Sequence, residues 1–166
     1  MTHWHLTFGT YGTRLHGDAR PTVDREHNRF GTPFVTADPS RLLREREAMA
    51  AEAVVLTSDQ RGHVERTIPS ICERGGWSYR IAAAPEEGDH VHVLLAADPK
   101  RHGKEVRRWL KQWLTASLNE RWPRTTRWWA HGGSTKAVKN AAYLRNVLAY
   151  IARQRSTPLT DHERRP

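Results

Sequence analysis

The chain has 166 residues, of which 37% are hydrophobic, so it is long enough for one compact domain but too short for two full cores. No apolar run approaches the roughly 20 residues that span a bilayer, and no leader-like segment opens the sequence, so we expect no membrane partner and a cytoplasmic location. Cys72 is the single cysteine, which excludes intramolecular disulfides and cysteine-rich zinc sites.

The net charge of +9 is unevenly distributed. Residues 1–99 hold 11 Lys/Arg and 14 Asp/Glu, a balance of −3, whereas residues 100–166 hold 16 and 4, a balance of +12. A solvated charge run is the ordinary explanation of such a surplus. Here tryptophans interleave with the basic residues, at positions Trp109, Trp113, Trp122, Trp128 and Trp129. Basic groups beside aromatic rings are typical of a nucleic-acid surface, so we predict a nucleic-acid partner and a nucleoid-associated protein.

The first predicted element is a strand over His3–Tyr11, because apolar and polar residues alternate there. Residues 12–39 are rich in Gly, Pro, Asp, Asn and Arg and predict a long loop, which we interpret as a binding insertion. A short helix is predicted over Arg41–Ala53. Together these two segments form an insertion of loop and helix at 12–53.

A capping-box pattern at Thr57 and Gln60 predicts the start of a second helix, which ends at Gly75–Gly76 and which Pro69 could kink. The next segments predict a hairpin, with strands over Trp77–Ala84 and His90–Ala96 joined by a turn at 85–89.

The clearest helix follows Gly103, with its large apolar side chains on one stripe. A short strand over Arg127–Ala130, a flexible joint at 131–134 and a final helix over Asn140–Gln154 complete the chain. This order predicts an α+β, ferredoxin-like (RRM-like) antiparallel sheet with helices on one face and an appended C-terminal helix. We expect one domain over 1–155 and a polar tail over 156–166.

Two histidines stand two residues apart on the predicted second strand of the hairpin. Residues i and i+2 of a strand point to the same face, so His90 and His92 lie side by side while Val91 and Val93 face the other way. Such a pair is structural more often than ligating, but it can share one cation.

The final helix carries Tyr150 and Gln154 at i and i+4, hence on one face one turn apart. A phenol oxygen there could attack a substrate, and an amide oxygen could complete a metal shell. The alternative is that Tyr150 is an ordinary packed aromatic beside Val147 and Ile151.

These two segments together resemble those of a known enzyme family. The hairpin strand reads Gly-Asp-His-Val-His-Val-Leu-Leu over 88–95, and the final helix reads Leu-Ala-Tyr-Ile-Ala-Arg-Gln over 148–154. They resemble the HUH motif and the tyrosine helix of the single-tyrosine transposases, the insertion-sequence-200-like and REP-associated tyrosine transposases. Arg153-Gln154 stands in place of the Asn-Pro ending that is common in the REP-associated branch, and the 12–53 segment is longer than the compact family pattern.

The resemblance implies a metal-dependent enzyme that cuts and joins single-stranded DNA containing hairpins. In that interpretation His90, His92 and Gln154 hold Mg²⁺ or Mn²⁺, and Tyr150 forms a 5′-phosphotyrosine intermediate that stores the energy for rejoining. The resemblance also implies a homodimer, in which a hinge at Gly132–Gly133 would let the tyrosine helix act on the partner's site.

Two alternatives compete for the chemistry. His3-Trp4-His5 is a second HUH sequence on the first strand, but it lies at the chain end without the turn that precedes His90. Tyr143 is a rival nucleophile, two turns before Tyr150 and about 10 Å away along the helix. The position of Gln154 favours Tyr150.

The remaining predictions concern DNA contacts and the function class. We expect a set of basic residues to bind DNA, namely Arg14, His16, Arg107, Arg108, Lys111, Lys136 and Lys139. A non-catalytic nucleic-acid-binding module on the same ferredoxin-like scaffold, and a replication-initiator or relaxase-type HUH nuclease, remain alternatives.

Overall fold

The computed structural model of the chain describes residues 1–20, 35–160 and 163. Part of the predicted insertion, 21–34, lies outside the described residues, as do 161, 162 and 164–166 of the predicted tail. The elements in chain order are β1 Thr2–Gly9, α1 Pro39–Glu47, α2 Ser58–Gly75, β2 Ser78–Ala83, β3 His90–Ala97, α3 Gly103–Arg121, β4 Ser134–Val138 and α4 Ala141–Ala152.

The four strands form one antiparallel sheet in the order β2-β3-β1-β4. The hairpin strands β2 and β3 are neighbours, and β1 lies between β3 and the last strand. This is the ferredoxin-like arrangement, so the predicted α+β fold class is confirmed.

Strand alternation divides the interior into two layers. Leu6, Phe8, Val91 and Val93 point to one face, where α2 and α3 cover them in the main core. On the opposite face, a smaller cluster joins Ile81, Ala83 and Leu94 of the sheet to Val147 and Ile151 of α4. The C-terminal helix therefore packs on the side of the sheet that carries His90 and His92.

Local sequence rules account for the ends of α2. The side chain of Thr57 accepts a hydrogen bond from the Gln60 N–H, and the Gln60 side chain accepts one from the Thr57 N–H, which is the predicted capping box. Gly76 ends the helix with φ +66°, in the left-handed region that glycine adopts without strain. The helix runs unbroken through Pro69.

The predicted strand over Arg127–Ala130 is wrong. Trp128 and Trp129 are buried core residues whose indole N–H groups donate to Asn119 and Thr115 of α3. Trp129 makes only an isolated bridge to Thr10. The fourth strand is instead the next segment, 134–138, which pairs with β1.

Several element ends also shift from the prediction. The first helix ends at Glu47 and not at Ala53, and the last helix ends at Ala152, so that Gln154 lies in the turn after it. No helix within 1–20, 35–160 and 163 has the length and apolar character needed to cross a membrane.

Candidate active site

His90 and His92 lie side by side on the face of β3 that α4 covers. Their ring centroids are 4.7 Å apart, and the rings meet edge to face. His92 is buried, whereas His90 borders an open cavity. The pair thus combines one solvent-facing imidazole with one that is fixed inside the protein.

Each imidazole is held through its Nδ1 atom. The Nδ1 of His92 lies 2.9 Å from Thr7 Oγ1 and 3.4 Å from His5 Nε2, both on the neighbouring strand β1. The Nδ1 of His90 is hydrogen-bonded to the Asp89 carboxylate. A hydrogen bond on one ring nitrogen orients the other, so the Nε2 atoms are the ones left for a ligand.

The electrostatic setting keeps His92 neutral. Burial lowers the pKa of His92 to about 3, with further lowering from the charges of His90, His5 and Arg14. Neutral imidazole is the form that binds a metal ion. Burial also lowers the pKa of His5, and Lys136 adds to that effect.

Asp89 remains a carboxylate beside His90. Burial by itself would raise the pKa of Asp89, but hydrogen bonds and charges from His90 and Arg14 outweigh it and lower the pKa. Arg14 Nε lies 3.3 Å and an Arg20 nitrogen 3.2 Å from Asp89 Oδ2. The Asp89 carboxylate therefore contacts His90 on one side and two arginines of the loop after β1 on the other.

Tyr150 projects from α4 directly over the histidines. Its phenol oxygen is 3.4 Å from His92 Nε2, and its ring centroid is 5.2 Å from that of His92. The neighbouring Val147 and Ile151 are buried against the sheet, which turns Tyr150 toward the histidines while leaving it 40% exposed. Tyr143, the rival nucleophile, instead packs among the partly buried apolar side chains around the smaller cluster.

A cavity of about 650 Å³ opens beside this group. It is lined by Arg14, Ser58, Arg61, Pro85, Glu86, Glu87, His90, Tyr150, Arg153, Gln154, Arg155 and Ser156. The structure therefore brings Gln154 to the same cavity as His90 and Tyr150, although it lies beyond the end of α4. Four arginines and two glutamates line this cavity, so its basic side chains outnumber its acidic ones.

The donor set suits a hard divalent ion completed by a substrate. Within the described part of the chain, no three His, Cys, Asp or Glu side chains group closely enough to hold a metal ion. The predicted set differs in kind, because it pairs two imidazoles with the amide of Gln154. Both Nε2 atoms point away from their anchors, so the residues fit an ion that also binds substrate oxygen.

The predicted DNA-binding residues separate into two groups. Arg14 borders the cavity, Lys136 pairs with His5 across the β1–β4 register, Arg108 lies over the Trp109 ring, and Lys139 is exposed. Arg14 is also paired with Asp89, and two further residues form hydrogen bonds within the protein. Arg107 donates to Gly133 O and Thr135 Oγ1, and Lys111 donates to Ala130 O at 2.6 Å. His16 is half-buried in the turns after β1.

Sequence reasoning missed the residues that support the histidines. Thr7 faces His92 because the β1–β3 register pairs these two positions, and His5 lies diagonally across from it. Only half of the His3-Trp4-His5 alternative reaches the site, since His3 pairs with Ala96 at the far end of β3. Nothing in the local sequence specifies a cross-strand register, so these contacts needed the fold.

Comparison with known proteins points to one family. The family model described as "Transposase IS200 like" matches residues 49–154, which is more than half of the chain. A crystal structure of a candidate transposase from Deinococcus radiodurans R1 is 14% identical, with a TM-score of 0.49, and the alignment covers 95% of this chain and 94% of that one. No curated protein sequence matches the chain significantly.

Proposed function

The chain belongs to the IS200-like transposase family, and on that premise we propose that it nicks and rejoins single-stranded DNA through a covalent tyrosine intermediate. Membership of the family makes it a DNA-processing enzyme with DNA as its partner. One observation carries the proposed mechanism, namely that Tyr150 Oη lies 3.4 Å from His92 Nε2, beside a paired histidine. A candidate nucleophile on α4 thus lies next to two candidate metal ligands on β3.

His90 and His92 would hold a divalent ion, Mg²⁺ or Mn²⁺, with the Gln154 amide as a further ligand. When bound, such an ion neutralises charge on the scissile phosphate and favours the phenolate form of a nearby tyrosine. Thr7 and Asp89 orient the two imidazoles through Nδ1. The lowered pKa of His92 keeps its ring in the ligating form at neutral pH.

The reaction that fits these residues is a displacement at phosphorus. Tyr150 Oη attacks the phosphorus, a new phosphorus–oxygen bond forms to the tyrosine, and the bond from phosphorus to the 3′ oxygen breaks. The phenol loses its proton and the leaving 3′ oxygen gains one, so the products are a 5′-phosphotyrosine and a free 3′-hydroxyl. Attack by a 3′-hydroxyl on the phosphotyrosine reverses the step and rejoins DNA without a nucleotide cofactor.

The walls of the cavity support a DNA substrate. Arg14, Arg61 and Arg153 border it beside Tyr150, and three positive side chains suit the phosphates flanking a cut site. Further exposed basic residues lie on α3, on β4 and just after β4, namely Arg108, Lys136 and Lys139. We infer that hairpin-containing single strands are the substrate, and that the protein acts at DNA in the nucleoid.

The test is to incubate the protein with a single-stranded hairpin oligonucleotide and Mn²⁺, and to run denaturing electrophoresis. We expect a protein–DNA adduct together with a free 3′-hydroxyl fragment, both dependent on the metal. Alanine at His90 or His92 should abolish both products while most of the DNA affinity remains, because binding is distributed over many phosphate contacts. Binding without any cleavage in the wild type would point to the non-catalytic nucleic-acid-binding alternative.

A further inference from the structure

A buried carboxylate on α2 takes no part in the proposed reaction and yet has every acceptor position occupied. The side chain of Glu65 is 0% exposed. Its Oε1 accepts hydrogen bonds from the Ala84 and Ser156 N–H groups, at 2.9 and 2.8 Å. Its Oε2 accepts from the Thr157 N–H at 2.8 Å and also from the Thr157 hydroxyl.

These four donors come from two segments that are far apart in sequence. Ala84 follows β2, whereas Ser156 and Thr157 follow the cavity residue Gln154. Arg155, which lies between Gln154 and Ser156 in the sequence, donates to Ala82 O at 3.0 Å and pairs with the buried Glu163. The chain that leaves α4 is therefore fastened to α2 and to the end of β2 within a few residues of Tyr150.

We propose that Glu65 is a positioning residue for Tyr150, because it holds the segment that follows α4 in one place. The inference rests on the proposed function, since it assigns Tyr150 as the nucleophile. A buried charge with four donors fixes one geometry, because moving the segment would leave the carboxylate or its donors unsatisfied. Fixing Ser156 and Thr157 fixes the turn that carries Gln154 and the last turn of α4.

The first test compares Glu65→Gln with Glu73→Gln, an exposed position on the same helix. The amide keeps the shape of Glu65 but presents an NH₂ group to two of the donors. We expect adduct formation to slow by about 10- to 100-fold, while DNA affinity stays within about twofold. Hydrogen exchange should become faster over 147–157 in Glu65→Gln and stay unchanged in Glu73→Gln, a readout that does not depend on activity.

A milder variant covers the case in which Glu65→Gln does not fold. Thr157→Val removes the hydroxyl that donates to Glu65 and accepts from Arg155, while the three backbone donors to Glu65 remain. We expect the same changes at smaller size. If exchange over 147–157 and the adduct rate both match the wild type in these variants, Glu65 has no positioning role. If Glu65→Gln exchanges faster over 147–157 but the wild-type protein forms no adduct, the proposed function is contradicted while the role of Glu65 in holding this segment stands.

Discussion

At the scale of single residues, the site consists of side chains that fix one another. Alternation along β3 was enough to predict that His90 and His92 share a face. Gln154 was predicted on the same helix as Tyr150; it lies in the turn after α4 but borders the same cavity. The residues that orient the imidazoles could not be predicted in this way. Thr7 reaches His92 only through the register of β1 with β3, which depends on the whole sheet.

The first prediction concerns this support. Thr7→Val keeps the shape of the side chain but removes the hydroxyl 2.9 Å from His92 Nδ1. Without that anchor the ring is free to turn, so we expect Mn²⁺ affinity to fall by about tenfold, measured by titration calorimetry. Adduct formation should fall at limiting Mn²⁺ and recover at high Mn²⁺.

Thr2→Val is the matched control, because Thr2 lies at the other end of the same strand. It should leave Mn²⁺ affinity unchanged. Wild-type Mn²⁺ affinity in Thr7→Val would mean that Thr7 does not orient the ligand.

At the scale of elements, strong local patterns were predicted correctly and weak ones were not. The capping box at Thr57 and the glycine end of α2 depend only on nearby residues. The strand β4 has a mixed Ser-Thr-Lys-Ala-Val sequence with few apolar residues, and the buried pair Trp128–Trp129 just before it gave the more strand-like pattern. Tertiary burial under α3, which local sequence does not report, decided between the two segments.

The second prediction concerns the start of α4. The Asn140 side chain caps this helix by accepting a hydrogen bond from the Tyr143 N–H at 2.8 Å. Asn140→Ala should lower the free energy of unfolding by about 1 kcal/mol, whereas Asn140→Asp should retain most of it, as measured by urea denaturation. Equal stability of the Ala and Asp variants would show that the cap contributes nothing here.

At the scale of the whole molecule, the order of elements predicted the ferredoxin-like sheet. Each of its two long helices, α2 and α3, connects one strand to the next across a face of the sheet. The charge asymmetry predicted a nucleic-acid partner, but not where the charge acts. Arg14 and Arg61 come from the acidic part of the sequence and still border the cavity beside Arg153. Folding, and not composition, collects them there.

The third prediction follows from this collected charge. DNA affinity should fall steeply with salt, because each phosphate contact releases counterions, and unpaired hairpin strands should compete better than plain duplex. Arg153→Ala should reduce the slope of log affinity against log salt by about 1. Arg101→Ala should leave that slope unchanged, since Arg101 precedes α3 and is ion-paired with Glu105 in the first turn of that helix.

These values come from fluorescence anisotropy with labelled hairpin at several salt concentrations. Equal competition by duplex would indicate a different substrate class. A slope that Arg101→Ala reduces as much as Arg153→Ala would show that the cavity wall has no special part in binding.

The central claim is that Tyr150 is the nucleophile, and the most direct measurement is the covalent adduct formed by Tyr150→Phe and by Tyr143→Phe with hairpin DNA and Mn²⁺. Each change removes one phenol oxygen and leaves the aromatic packing of α4 nearly unaltered. We expect Tyr150→Phe to form no adduct and no nick, Tyr143→Phe to retain most of both, and mass spectrometry of the trimmed wild-type adduct to place the nucleotide on Tyr150. A nucleotide on Tyr143, or wild-type cleavage by Tyr150→Phe, would contradict the account.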